Sequence, residues 1–310
     1  MRQPVDGVLL VALGGPASMD EVRPFIRKVL GGRRVPSARI EEVVSHYEAL
    51  GGRSPLQELT RQQADALQRQ LAHDGHPIPV FVGMRCSSPW LRDTVQQMAA
   101  QAVRRAAVVI LAAHRDDYTW GQYGRSLADA RRAVGDAAPA LHQVADWHDH
   151  PGYVEALAER ISEVTNGVAG VDRASTPLLF SAHSLPQRLP RIDEYVTRVR
   201  ETARLVATVL GWTDWSIVYQ SRTGRPEDPW LEPDVGDAIA DLADRGRGAV
   251  VVAPIAFVCD HVEVLYDLDI QAAAVAAHRG LRFLRTGTVG THPVFLKMLS
   301  ELVRAIDCTA

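Results

Sequence analysis

Two stretches of this sequence carry residue types suited to metal and proton chemistry. In Phe180-Ser181-Ala182-His183-Ser184-Leu185-Pro186 an apolar run delivers a histidine at its tip, and the proline stops the strand from continuing. Such an imidazole is aimed out of a strand end and titrates near neutrality, although a lone histidine is also a common structural residue. From Pro254 to Asp269 a strand exit runs into a helix start bearing Asp260, His261, Glu263, Asp267 and Asp269. Glu263 and Asp267 are four residues apart and share one helical face. Stacked carboxylates repel unless a cation or a proton is shared between them, so the pair suits a metal ion or a mobile proton. Part of this acidity has a plainer reading, negative charge favoured at a helix N-terminus, and Asp260 is expected as the N-cap. A third stretch, Tyr219 to Gly224 followed by Pro229-Trp230-Leu231-Glu232-Pro233, ends a strand in a polar turn and pins a tryptophan between prolines. It either walls a flat apolar pocket or only packs.

These residues need a scaffold, and the apolar pattern supplies one. Short runs rich in branched residues recur at Val8 to Leu13, Val80 to Met84, Ala107 to Ala113 and Leu141 to Val144. They recur again at Leu178 to Ala182, Ser216 to Tyr219, Ala249 to Pro254 and Arg282 to Leu284, with helix-period segments between them. Strand and helix alternating at this spacing predict an α/β protein of two Rossmann-like, doubly wound halves, each with a four-stranded parallel sheet. The halves are expected over 1–150 and 151–310, dividing near Pro151 to Thr165, with a cleft between them. Ligands bind beyond the carboxyl ends of such strands. At those exits lie Gly14-Gly15-Pro16, His114 to Asp117, His183 to Pro186 and Pro254 to His261. The Gly-, Arg- and Pro-rich segment Gly31 to Ser54 is expected as a long loop or lid over the cleft.

Composition sets the bounds. The 310 residues are 46% hydrophobic and 23% charged, enough for a substantial core. A formal net charge of -3 offers no basic field for nucleic acid. Three cysteines, Cys86, Cys259 and Cys308, are too few and too scattered for a disulfide framework or a four-thiolate site. No signal-peptide pattern opens the chain, and no apolar run reaches the roughly 20 residues of a membrane span. A cytoplasmic protein is expected, with weak peripheral membrane association left open.

Taken together and in order, these stretches resemble the ferrochelatase family over nearly the whole chain. The similarity rests on Leu9-Leu10-Val11-Ala12-Leu13-Gly14-Gly15-Pro16, Gly51-Gly52-Arg53-Ser54-Pro55-Leu56, Gly83-Met84-Arg85, Ser181 to Pro186, Tyr219 to Arg222 and Asp260-His261-Val262-Glu263-Val264-Leu265-Tyr266-Asp267. The resemblance implies an enzyme that inserts Fe2+ into a free-base porphyrin, protoporphyrin IX or coproporphyrin III, for haem synthesis. It puts the family's histidine on His183 and its glutamate on Glu263, facing each other across the porphyrin as metal ligand and proton acceptor in either assignment. Asp260, His261, Asp267 and His114 are supporting residues. Arg33, Arg34 and the Ser54 hydroxyl are candidates for the substrate's carboxylates, with exposed loop arginines as the alternative.

The chemistry asks for such groups whatever the name. The ring must bend and lose two pyrrole protons before the metal enters, which takes strain from remote contacts and a base working near neutral pH. Imidazole with carboxylate and water holds Fe2+ more loosely than thiolates do. Fe2+ is a substrate here, no dissociable cofactor is needed, and the chain's C-terminus lacks the cysteines with which some relatives hold a [2Fe-2S] cluster.

Four places depart from the family pattern. Leu13 replaces a tyrosine or methionine near the axial face, leaving apolar contact only. Arg115, Asp116 and Asp117 replace small hydroxylated residues, and they either alter porphyrin preference or pair among themselves. His148 stands where relatives carry a tyrosine near the substrate and is expected to substitute as a hydrogen-bond donor; of the neighbouring cluster only His148 and His150 could share a face, and no structural metal is expected there. Gln271, four residues beyond Asp267, replaces an acid that would have extended the carboxylate stripe of Glu263 and Asp267, which weakens the case for an outer divalent-metal site. Two other readings stay open: a chelatase for another divalent metal and tetrapyrrole, and an inactive paralogue that binds porphyrin or haem.

Overall fold

Along the first strand Val8 and Leu10 face one way and Leu9 and Val11 the other, and all four are fully buried. Burial on both faces is why these strands read as unbroken apolar runs rather than alternating ones. The computed structural model describes residues 4–33, 35–222 and 228–308, so Arg34 lies outside the described residues.

Each run expected as a strand is one. β1 (Gly7–Ala12), β2 (Val80–Met84), β3 (Arg105–Ile110) and β4 (Ala140–Gln143) form a parallel sheet in the order β2-β1-β3-β4. β5 (Leu178–His183), β6 (Trp215–Gln220), β7 (Ala249–Pro254) and β8 (Arg282–Arg285) form a second parallel sheet in the order β6-β5-β7-β8. The two halves therefore repeat one strand permutation. Each has a switch point between its first and third strands, where the chain winds away to opposite sides and leaves a crevice at the carboxyl ends.

Helices cover both faces. One continuous core joins Val8 and Leu10 of β1 and Phe180 and Ala182 of β5 with the helices α3 (Leu56–His73), α6 (Pro151–Thr165), α7 (Ile192–Leu210) and α11 (Pro293–Cys308). Helix α11 returns from the end of the chain to pack on α3 and α6. The segment near which the halves were expected to divide is thus itself helical, and apolar packing ties the halves together. On the outer faces α4 (Leu91–Ala100) and α5 (Asp117–Val134) cover the first sheet, and α8 (Val235–Asp244) with α10 (Ala273–His278) cover the second.

The Gly31 to Ser54 segment is not the long loop expected. After α1 (Met19–Leu30), whose end Gly31 caps in the left-handed region at φ 57°, only a short turn precedes helix α2 (Ser37–Ala49). Its Val44 and Tyr47 pack with Val22, Phe25 and Ile26 of α1 and with Val262 from the other half. The Gly, Arg and Pro content masked this helical periodicity. The lid is a helical hairpin, and the His46 ring stacks on Tyr266 with centroids 3.7 Å apart. Among the described residues no helix is long and apolar enough to cross a membrane.

Candidate active site

The exits of β1, β3, β5 and β7 open into one cleft, roofed by Phe25, Val29 and Leu30 of α1 and Ile40 and Val43 of α2. Leu13, Gly14, Ser54, Arg33, His114, His183, His261 and Glu263 all line it. The glycine turn after β1 is required by close approach: Gly14 has φ 92°, and a Cβ on Gly15 would overlap the Ser54 side chain. Ser54 Oγ accepts from the Leu56 amide at 3.2 Å.

His183 is the last residue of β5. Its Nδ1 lies 2.6 Å from the carbonyl oxygen of Ser184; a carbonyl only accepts, so Nδ1 carries a proton and Nε2 is the ring nitrogen left to face the cleft. The Tyr195 hydroxyl donates to the His183 carbonyl at 2.9 Å and holds the strand end in place. Nε2 faces Glu263 Oε2 at 3.7 Å. That separation is too long for a hydrogen bond, and short enough for both atoms to reach one metal ion at about 2.0–2.2 Å each. Both side chains are about one-third exposed, hence open to a ligand.

Glu263 sits in a single α-turn, α9 (Val262–Val264), that runs into a π-helix over Leu265–Ala272 and then into α10. The expected N-cap is displaced by one residue. His261 Nδ1 accepts from the Glu263 amide at 3.2 Å, while Asp260 pairs with Arg285 at 3.0 Å and accepts from the Thr288 amide. Arg285 draws Asp260 away because it clamps Asp260 and Asp269 together. The His261 ring packs edge-on against Phe257, and burial lowers its pKa.

The π-helix winds wider than the α-helix expected here, yet Glu263, Asp267 and Gln271 still line one second cavity, which adjoins the main cleft through Tyr47, Val262 and Glu263, with His46, Asp234 and Asp237. Glu263 belongs to both cavities. Asp267 is nearly buried, and burial pushes its carboxyl up to about 7, against the pull of the Ser221 hydroxyl and with the help of the Glu263 charge. Gln220 Nε2 donates to the Glu263 carbonyl at 3.0 Å, tying β6 to the turn.

Other expected residues are placed differently. His114 lines the cleft but is held by the Thr202 hydroxyl at 2.9 Å, and burial pushes its pKa down to about 3, so it is neutral. His148, expected on the substrate, is not among the cleft-lining residues: its Nε2 is 3.2 Å from Glu201, because the loop after β4 turns its ring behind His114. Arg33 keeps its guanidinium over the Tyr118 ring, 5.4 Å away, at the cleft wall. Arg115 stacks on Trp120 and lies 3.9 Å from Asp146, and Asp117 pairs with Arg191, so these two are spent on surface pairs. Asp116 alone of the three faces the cleft, capping α5 through the Thr119 amide.

Trp230 proves to be wall, since it lines the cleft. Arg85, not among the residues expected at the site, lies at the exit of β2, hydrogen-bonds Gln122, stacks near Tyr123 and lines the cleft with its Nε buried and unpartnered. Its signal was present in Gly83-Met84-Arg85, a strand end carrying a cation.

Two like-ordered parallel sheets with a cleft at their carboxyl ends are the architecture of the chelatases. CbiX, the terminal enzyme of sirohaem biosynthesis in denitrifying bacteria, aligns with a TM-score of 0.57 over 96% of this chain and 98% of its own at 16% identity. SirB from Bacillus subtilis, with Fe3+, aligns at 0.59 over 98% and 95% with 12% identity. The ferrochelatase family model matches residues 5–306. A ferrochelatase of Rhodopirellula baltica is 40% identical over 97% of this chain and 86% of its own, and a coproporphyrin III ferrochelatase of Mycobacteroides abscessus is 41% identical over 97% and 88%. A further coproporphyrin III ferrochelatase, from Frankia alni, is 42% identical over 97% and 80%. The chain belongs to the ferrochelatase family, enzymes that insert Fe2+ into a porphyrin.

Proposed function

We propose that this enzyme makes its haem precursor from coproporphyrin III, with His183 and Glu263 as the pair that takes the pyrrole protons and hands over the iron. The names of relatives at about 40% identity support the substrate. The observation that carries the residue roles is the 3.7 Å approach of His183 Nε2 to Glu263 Oε2 inside the cleft.

In this reading the macrocycle lies between the β1 turn with Leu13, the wall of Trp230 and Phe257, and the α1–α2 hairpin. Apolar contacts and the Arg33, Arg34 and Ser54 side chains hold the substrate and bear the cost of bending it. Two protons leave the ring as Fe2+ enters, so charge balances with no electron moved. The His183 lone pair receives a proton, with the Ser184 carbonyl holding the ring orientation. Glu263, open to both cavities, carries iron or proton between the porphyrin and the acidic second cavity, with Asp267 as a group that changes protonation near neutral pH.

No dissociable cofactor and no iron-sulfur cluster enters this scheme, and its setting is the cytoplasm, with at most peripheral membrane contact. Residues 1–150 hold the porphyrin and residues 151–310 the metal- and proton-handling groups, on a shared core. Side-by-side assay of Fe2+ insertion into coproporphyrin III and protoporphyrin IX tests the substrate. Higher kcat/KM with coproporphyrin III is expected, and equal or reversed preference overturns it.

A further inference from the structure

Behind the cleft wall a second set of metal-ligating side chains comes together that the insertion chemistry does not use. His148, Asp149 and Glu201 each bring one donor atom to within 4.8 Å of the other two. His148 is 9% exposed. Its carbonyl accepts from the Thr202 hydroxyl at 2.6 Å and its ring lies against His114, so the imidazole is fixed in place. The two carboxylates are half-exposed and free to adjust around it.

Charge points the same way. His148 Nε2 is 3.2 Å from Glu201 and Nδ1 is 3.9 Å from Asp149, while Nδ1 is buried with no hydrogen-bond partner. Among the described residues neither carboxylate has a lysine or arginine within ion-pair distance. Two negative groups therefore converge on one imidazole with no fixed cation to balance them. We propose that His148, Asp149 and Glu201 bind a divalent transition-metal ion, apart from the insertion site, clasping the loop after β4 to helix α7.

One nitrogen and two carboxylate oxygens suit borderline ions such as Fe2+, Co2+ or Zn2+ better than Mg2+ or Ca2+, which prefer all-oxygen shells. Ligation through one ring nitrogen leaves the proton on the other. The adjacency of 148 and 149 is no obstacle, because the third ligand comes from α7 rather than from His150, whose Nδ1 caps α6 through the Gly152 amide. The ion joins the two halves of the chain, and its binding adds to stability by mass action.

The test is Zn2+ binding to the full-length protein without porphyrin, by equilibrium dialysis, with thermal unfolding alongside. His183→Ala, which disables the insertion site, is expected to keep one tightly bound Zn2+. Adding Asp149→Ala and Glu201→Ala to that variant is expected to weaken this binding by more than the roughly ten- to hundredfold that loss of an outer-sphere partner costs. Zn2+ then raises the unfolding midpoint of His183→Ala and leaves the triple variant unmoved. Asp149→Ala/Glu201→Ala in the otherwise native chain keeps Fe2+ insertion at the parent rate, which shows that it folds. Absence of bound Zn2+ in His183→Ala, or equal affinity in the triple variant, overturns the site, and neither result bears on the insertion chemistry.

Discussion

The Ser221 hydroxyl donates to Asp267 across 2.5 Å, bringing the polar turn after β6 onto the π-helix that follows Glu263. Hydrogen bonds from Ser221 and Gln220 do not offset the burial of the carboxylate, and Asp267 keeps its proton up to about pH 7.

A pH dependence of stability follows. The unfolded chain releases the Asp267 proton near the ordinary 3.8, while the folded chain holds it to about 7. The contribution is therefore full at low pH and declines as pH rises between those values. Asp267→Asn is expected to flatten this part of the profile, read as the denaturant midpoint at each pH. Parallel profiles for parent and variant contradict it.

His114 acts in the opposite direction. Burial pushes its pKa down to about 3 from 6.5, so the unfolded chain binds a proton that the folded chain refuses. Stability is full above pH 6.5 and falls as the pH drops toward 3, with a limiting slope of about 1.4 kcal/mol per pH unit. His114→Gln is expected to remove that slope, whatever its cost at neutral pH. Its persistence in the variant assigns the acid sensitivity elsewhere.

Gly15 is pressed against Ser54. Gly15→Ala is expected to destabilise by about 1–3 kcal/mol through overpacking and to raise KM for porphyrin by shifting the turn and Ser54. Differential scanning calorimetry and steady-state kinetics check the two effects, and unchanged KM separates the turn from the substrate.

Arg115 is paired with Asp146 at the surface. Arg115→Ala is expected to change stability by less than about 1 kcal/mol and to leave the preference between porphyrins as it was. A reversal of preference in this variant returns Arg115 to the substrate wall.

Much of this fold was readable in advance because the central strands β1, β3, β5 and β7, buried on both faces, leave unbroken apolar runs. The meeting of His183 and Glu263 was readable because both stand at strand exits that the topology brings together. Less visible were features set by contacts distant in sequence. Arg285 on β8 draws Asp260 from the cap, and Glu201 on α7 turns His148 from the cleft. Helix α2 was hidden by the glycines, arginines and proline around it, since its apolar face is meaningful only against α1 and Val262. The π-helical widening after Glu263 leaves no mark in a four-residue spacing that an α-helix shares.

In the proposed mechanism His183 and Glu263 act together on iron and pyrrole protons in one cleft. Fe2+ insertion by His183→Ala and Glu263→Gln, followed by loss of free-base porphyrin fluorescence alongside a binding titration, tests it most directly. Near-parental porphyrin affinity is expected, with insertion slowed on the order of 10²–10⁴-fold or more. Turnover close to that of the parent in either variant contradicts the assignment of that residue.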